Sequence, residues 1–420
     1  MPRHHGVPDG IHIFSFVFPF KKRREAMVGA AERQDAKGYL PTLDGWRALS
    51  VIAVVLYHGR SEFFSDDSLM RRLSAHGYLG VDVFFAISGF LICSLLLKEY
   101  RRNGDISLRA FYLRRCFRIL PAYYLALTGI CTLGALKLIP VNFADLPSCL
   151  LFYRNYRPLG MDFQGGFYTA HFWSLALEEH FYLLWPTLLL LSKPRRIGPI
   201  AFMLAMMVFG WRLVDGHYHH VAALLSPQLQ ISQTDKRIDA LLWGCLAAIY
   251  FPVIKSYVDR IRFSELWILI AAVIAAVIKL RVPDSIFFTA VFFPLLLLST
   301  VLKPNSILGR LLESPPLRWL GGISYSIYLW QELFLPQIPS ENARGVLGRL
   351  QHFPWNVIAI LACACLSRYL LELPMIRLGH RLTNRSTFRS HESTHLNQHL
   401  PPSPPSTPHE VQNLLRGSLP

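Results

Sequence analysis

The apolar residues of this 420-residue chain come in blocks, and the block length decides what it can fold into. They fall at 79–97, 119–139, 172–191, 198–214, 238–254, 264–278, 285–302, 320–338 and 355–371. Most approach the ~20 residues that a helix needs to cross a bilayer, and a few are slightly short. A tenth, short block at 45–57 is entered through Thr42-Leu43-Asp44, a helix N-cap signal. No single soluble core is built from such a pattern. Composition agrees, because only 17% of residues are charged while 52% are hydrophobic. A soluble domain carries roughly a quarter charged residues. The expectation is an all-α, polytopic transmembrane helical bundle.

The formal net charge of +16 raises the possibility of a nucleic-acid partner, but its placement argues against one. Basic residues sit between the apolar blocks, as at Lys21 to Arg24, Arg101-Arg102, Arg114-Arg115, Lys193 to Arg196 and Arg377 to Arg385. Positive charge flanking spans sets topology. With a cytoplasmic N-terminus, the loops at 99–118, 192–197, 255–263 and 303–318 and the tail fall inside, and these are the Lys/Arg-rich ones. About ten spans with both termini cytoplasmic satisfy the rule, and the apolar segment Pro147 to Tyr153 is left as re-entrant or interfacial. The expected location is a multi-pass position in the cell's inner (plasma) membrane.

Three regions follow: an N-terminal cytoplasmic segment over 1–40, a transmembrane domain over 41–378, and a tail over 379–420. The stretch Ile11 to Phe20 runs into Lys-Lys-Arg-Arg with no small-residue cleavage site, so it is not read as a signal peptide. Either Met1 or Met27 can serve as the start. The tail turns to Ser, Pro, His and Asn, including Pro-Pro-Ser-Pro-Pro-Ser-Thr-Pro at 401–408, and is expected to be disordered. Seven cysteines lie mostly within apolar blocks, none spaced as C-x-x-C, which points to reduced thiols with neither a disulfide framework nor a zinc site. No internal repeat is visible, unlike many transporters.

Ionisable residues inside spans are costly and tend to be functional. Arg47 and His58 are eleven residues apart in the first span, so they share a helix face about 16 Å apart along the axis. Arg47 alone is equally explained by the topology rule. The second span places Asp82 one turn inside its outer end, near the depth expected for His58. A carboxylate beside an imidazole fixes its tautomer and strengthens it as a general base. Glu178, Glu179 and His180 lie about two turns into the block at 172–191, and adjacent carboxylates there are hard to explain by packing. Arg115 and Arg118, three apart at the start of the third span, suit a phosphate-bearing ligand or else mark the cytoplasmic side.

Several of these stretches together resemble the acyltransferase-3 family of integral membrane O-acetylases. They are Leu-Asp-Gly-Trp-Arg-Ala…Tyr-His, Gly-Val-Asp-Val-Phe-Phe-Ala-Ile-Ser-Gly-Phe-Leu-Ile, Arg-Arg-Cys-Phe-Arg-Ile-Leu-Pro and Trp-Ser-Leu-Ala-Leu-Glu-Glu-His-Phe-Tyr-Leu-Leu-Trp-Pro. Arg237-Ile-Asp-Ala-Leu-Leu-Trp-Gly and Leu320-Gly-Gly-Ile-Ser-Tyr-Ser-Ile-Tyr-Leu-Trp follow in register. Members of that family modify lipopolysaccharide O-antigens, peptidoglycan, exopolysaccharides and small glycosides. The resemblance implies transfer of an acyl group, acetyl above all, from acyl-CoA to a hydroxyl of a carbohydrate or glycolipid acceptor within the lipid membrane.

By the same resemblance His58 is the catalytic base or a transient acyl carrier, oriented by Asp82 or Glu178. Arg47, Arg115 and Arg118 bind the donor, and no metal is assigned. Two departures stand out: Gln331 where many members have His after the Leu-Trp pair, and His180 where Gln is common. The chain is also expected to lack the esterase-like domain that follows the last span in many members acting on peptidoglycan. A transporter or flippase of glycans is the competing class, and a structural subunit of an export complex is a third.

Overall fold

A computed structural model describes residues 39–157, 166–192, 194–218, 232–335, 343 and 345–383. The expected N-terminal segment and tail therefore fall almost wholly outside the described residues. Those described are helical, with no strand among them. The main helices are α1 (Pro41–His58), α2 (Leu79–Asn103), α3 (Leu108–Ala135), α4 (Phe172–Ser192), α5 (Pro194–Tyr218) and α6 (Asp239–Ile249). They continue with α7 (Phe251–Arg260), α8 (Leu266–Lys279), α9 (Ser285–Leu302), α10 (Pro315–Gly322), α11 (Ser324–Phe334) and α12 (Trp355–Leu366).

Five helical segments among the described residues are long and apolar enough to cross a membrane: α2, α3, the body of α5, α9, and α12 with its continuation to Thr383. A sixth arises if α6 and α7, bent by 68° at their junction, are one broken span. The remaining expected spans take other forms. The block at 264–278 is the 14-residue α8, and the block at 320–338 is divided between α10 and α11. Helices α1 and α4 have 18 and 21 residues, but carry Asp44, Arg47 and His58, and Glu178, Glu179 and His180. Their polar content is what sets them apart from a plain span.

Small residues let the central helices meet. A Cβ on Gly89 of α2 would collide with the Leu241 carbonyl of α6, and one on Gly244 of α6 would strike the Ala86 carbonyl of α2. Without a hydrophobic drive between helices in lipid, such backbone contact is what holds a crossing. Helix α1 packs against α2, α10 and α11 and is fastened to α9 by Trp46, whose Nε1 donates to Thr300 Oγ1 at 2.9 Å. The helix bearing Arg47 and His58 is thus enclosed by its neighbours.

Between α12 and its continuation, Ser367–Glu372 forms a π-helical turn. Such turns are frequent at functional sites because the extra residue re-aims side chains. Here it directs Arg368 and Glu372 into the same internal cavity as Arg47.

Candidate active site

A cavity of about 450 Å³ lies among α1, α2, α3, α4, α11 and the π turn. Four arginines line it: Arg47, Arg115, Arg118 and Arg368. Arg47 is paired with Asp44 at 3.2 Å and Arg368 with Glu372 at 3.1 Å. Arg115 lies over the rings of Tyr182 and Phe111, at 5.2 and 5.8 Å from their centroids. Arg118 makes no hydrogen bond or ion pair among the described residues. A guanidinium without a partner, beside three others, is an arrangement that an anionic ligand completes. The structure thus brings together all three arginines singled out from sequence and adds Arg368, a missed one.

Glu178 lines this cavity and accepts from Ser88 Oγ at 2.8 Å and Tyr182 Oη at 3.0 Å. Glu179 lines it as well. His180 leaves the cavity and places Nδ1 2.7 Å from Thr234 Oγ1. Farther along, the lining passes to Ser174 and Tyr328, whose hydroxyls are 2.6 Å apart.

His58 is the last residue of α1, at the end opposite Arg47. The expectation that Asp82 or Glu178 orients it is corrected by the structure. Asp82 is buried and bound to Arg237 across the α2–α6 contact at 2.5 Å, because a carboxylate in the first turn of α2 needs a cation there. That pair belongs to a buried ionic group in which Arg212 reaches Asp239 at 2.8 Å and Asp284 at 3.2 Å. Glu178 is committed to Ser88 and Tyr182.

The carboxylate that meets His58 is Glu332 of α11, with Oε1 3.4 Å from His58 Nε2. Its other oxygen is 2.7 Å from His171 Nδ1. The Glu332 side chain is 3% exposed, His171 1% and His58 14%. Burial to that degree leaves a carboxylate dependent on these two imidazoles, since water cannot solvate it. His58 Nδ1, His171 Nε2 and both amide atoms of Gln331 are buried with no hydrogen-bond partner. Buried polar atoms without a partner, on Glu332's two imidazole neighbours and on the residue before it in sequence, have hydrogen-bonding capacity that a hydroxyl or a water can satisfy.

Sequence reasoning missed Glu332 and His171, although the rule that selected Glu178 applies equally to a carboxylate inside the block at 320–338. His171 stands just before the block at 172–191 and so escaped a search of block interiors.

The acyltransferase domain model of this family matches residues 40–373. The chain belongs to the acyltransferase-3 family. The acyltransferase-3 match takes in every cavity-lining residue except Tyr39, and the His58–Glu332–His171 group. Similar proteins include the O-acetyltransferase OatA of Staphylococcus aureus strain NCTC 8325 / PS 47 and its counterparts in strains COL and MRSA252. Each is 30% identical over 375 residues, covering 83% of this chain and 59% of the relative. The acyltransferase-3 chain thus spans about 59% of the length of the curated relatives it matches. No solved structure matches it.

Proposed function

We propose that the protein is an inner-membrane O-acetyltransferase that moves an acetyl group from acetyl-CoA to a hydroxyl of a cell-surface or exported carbohydrate or glycolipid. The observation that carries this reading is a cavity lined by four arginines whose Ser174 and Tyr328 wall is hydrogen-bonded to His171 of a buried His–Glu–His group. A CoA thioester has phosphates at one end and a reactive carbonyl at the other, joined by a slender arm. The relatives' names supply the O-acetyl group.

In this mechanism the arginines hold the donor's phosphates and the arm runs toward Tyr328. His58 accepts the proton of the acceptor hydroxyl as its oxygen attacks the thioester carbon. The C–O ester bond forms, the C–S bond breaks, and the departing thiolate takes the proton back from the imidazolium. Glu332 stabilises that imidazolium while it lasts. The same residues allow His58 to carry the acetyl group briefly.

The decisive experiment removes the gene and measures base-labile acetate on surface and exported glycans. Loss of acetate, restored by the wild-type chain and not by His58→Ala, supports the reading. Unchanged acetate in the deletion strain rejects it.

Topology belongs to the same reading: ten spans, both termini cytoplasmic, the arginines near the cytoplasmic face and His58 in the outer half. In a background without the seven native cysteines, Arg102→Cys is expected to react with an impermeant maleimide only from the cytoplasmic side. His76→Cys is expected to react only from outside. Both side chains are exposed. Reversal of either pattern overturns the orientation.

The two adjacent glutamates are also separable. Glu178→Gln keeps one acceptor oxygen but puts an NH2 donor against the other of the Ser88 and Tyr182 hydroxyls and removes the charge, so acetylation is expected to fall by about tenfold or more. Glu179→Gln is expected to have a milder effect. Equal losses in initial rate would mean that the pair acts as a unit.

A further inference from the structure

Glu332 has two imidazole neighbours, and the closer one is not the base. His171 Nδ1 lies 2.7 Å from Oε2, while His58 Nε2 lies 3.4 Å from Oε1. The His171 backbone N–H makes a second, longer contact with Oε2 at 3.4 Å. The terminal torsion of a glutamate is broad and soft, so a carboxylate held at one oxygen by one weak partner swings. Two donors from the same residue on Oε2 remove that freedom and leave Oε1 facing His58.

His171 also reaches the arginine cavity. Its backbone carbonyl lies 3.0 Å from Tyr328 Oη and 3.2 Å from Ser174 Oγ, and one of this 2.6 Å hydroxyl pair donates to it while the other donates within the pair; both residues line the cavity. Tyr328 stands four residues before Glu332 on α11, so both project from one side of that helix. One residue therefore fastens the carboxylate by its ring and the inner wall of the donor cavity by its carbonyl.

We infer that His171 is a positioning residue for acyl transfer, donating Nδ1–H to Glu332 so that the opposite carboxylate oxygen is aimed at His58. This rests on the proposed reading of His58 as the base. The alternative is a histidine that merely fills space between Phe172 and Tyr328, its ring neighbours at 4.2 and 5.6 Å. Side-chain geometry separates the two. The amide nitrogen of Asn takes the place of Nδ1, whereas that of Gln reaches toward the place of Nε2.

The test uses the full chain returned to a deletion strain, with the initial rate of base-labile glycan acetate after induction as one readout. Binding of radiolabelled acetyl-CoA to the purified chain in lipid nanodiscs is the other. His171→Ala is expected to lower the acetylation rate by about 100-fold while acetyl-CoA affinity stays within about threefold. His171→Asn is expected to return to within about tenfold of wild type, and His171→Gln to resemble His171→Ala.

The inference is overturned if His171→Ala keeps more than about a third of the rate, if Asn restores no better than Gln, or if donor binding is lost in step with the rate. His58→Ala, run alongside, keeps the two ideas apart. If it also retains full acetylation, the assignment of the base fails. If it abolishes acetylation while His171→Ala does not, only the positioning role fails.

Discussion

Glu332→Gln is expected to lower acetyl transfer by about three orders of magnitude while the protein still inserts and accumulates in the membrane. Gln has the same shape, so neither the packing of α11 nor the space around His171 changes. What disappears is the negative charge 3.4 Å from His58 Nε2. In a site where Glu332 is only 3% exposed, that charge is poorly screened, and in the proposed mechanism it makes an imidazolium tolerable while His58 holds the hydroxyl proton. An amide also turns one N–H toward an imidazole that needs an acceptor.

His58→Ala is expected to cause a loss of similar size. The double variant should be scarcely worse than either single one, because the proposed mechanism has the two residues act on one proton. Initial rates of glycan acetate formation in cells with matched protein levels measure this. A Glu332→Gln protein that keeps more than about a third of wild-type activity would remove the carboxylate from the mechanism. Losses that multiply in the double variant would show two independent functions.

Part of the candidate site's lining was legible in the sequence because ionisable groups in apolar blocks stand out against lipid. Arg47, Arg115, Arg118 and Glu178 were found that way, and they share one cavity. The all-helical class was legible too, since block length and basic loops carry it. Pairing was not. Asp82 sits at a depth suited to His58, but depth fixes only one coordinate, and the rotation of α2 turns its carboxylate toward Arg237. The close Gly89–Gly244 approach holds α2 against α6 in that orientation; Gly89 permits a close approach, but its partner segment lies far away in sequence.

Arg368 was hidden for a different reason. An ordinary α-helical register gives no hint of a π turn at Ser367–Glu372, and the turn is what brings Arg368 beside Arg118. Span counting met a limit as well. The blocks at 238–254 and 320–338 have the composition of single crossings, yet a 68° bend divides the first and α10 and α11 share the second.

The arginines give the second large effect, and it falls on donor binding. Arg115→Ala combined with Arg118→Ala is expected to raise KM for acetyl-CoA by about 100-fold, since each charge-assisted bond to phosphate contributes about 1.5 kcal/mol or more. The shares should be unequal. Neither has a hydrogen bond or ion pair among the described residues, but Arg115 rests on the Tyr182 and Phe111 rings while Arg118 has no ring contact there, so Arg118→Ala should cost more. Neither residue approaches His58, so kcat at saturating donor should change little.

A truncated donor sharpens the test, because S-acetylpantetheine keeps the thioester and part of the arm but lacks the nucleotide phosphates. The wild-type preference for acetyl-CoA over this analogue should shrink in the double variant by the same factor that KM rises. If the preference is untouched and the acceptor KM moves instead, the arginine cavity is the acceptor's site and the donor enters elsewhere. Should kcat collapse with KM unchanged, the guanidiniums would be acting on the reacting group and not on the phosphate end.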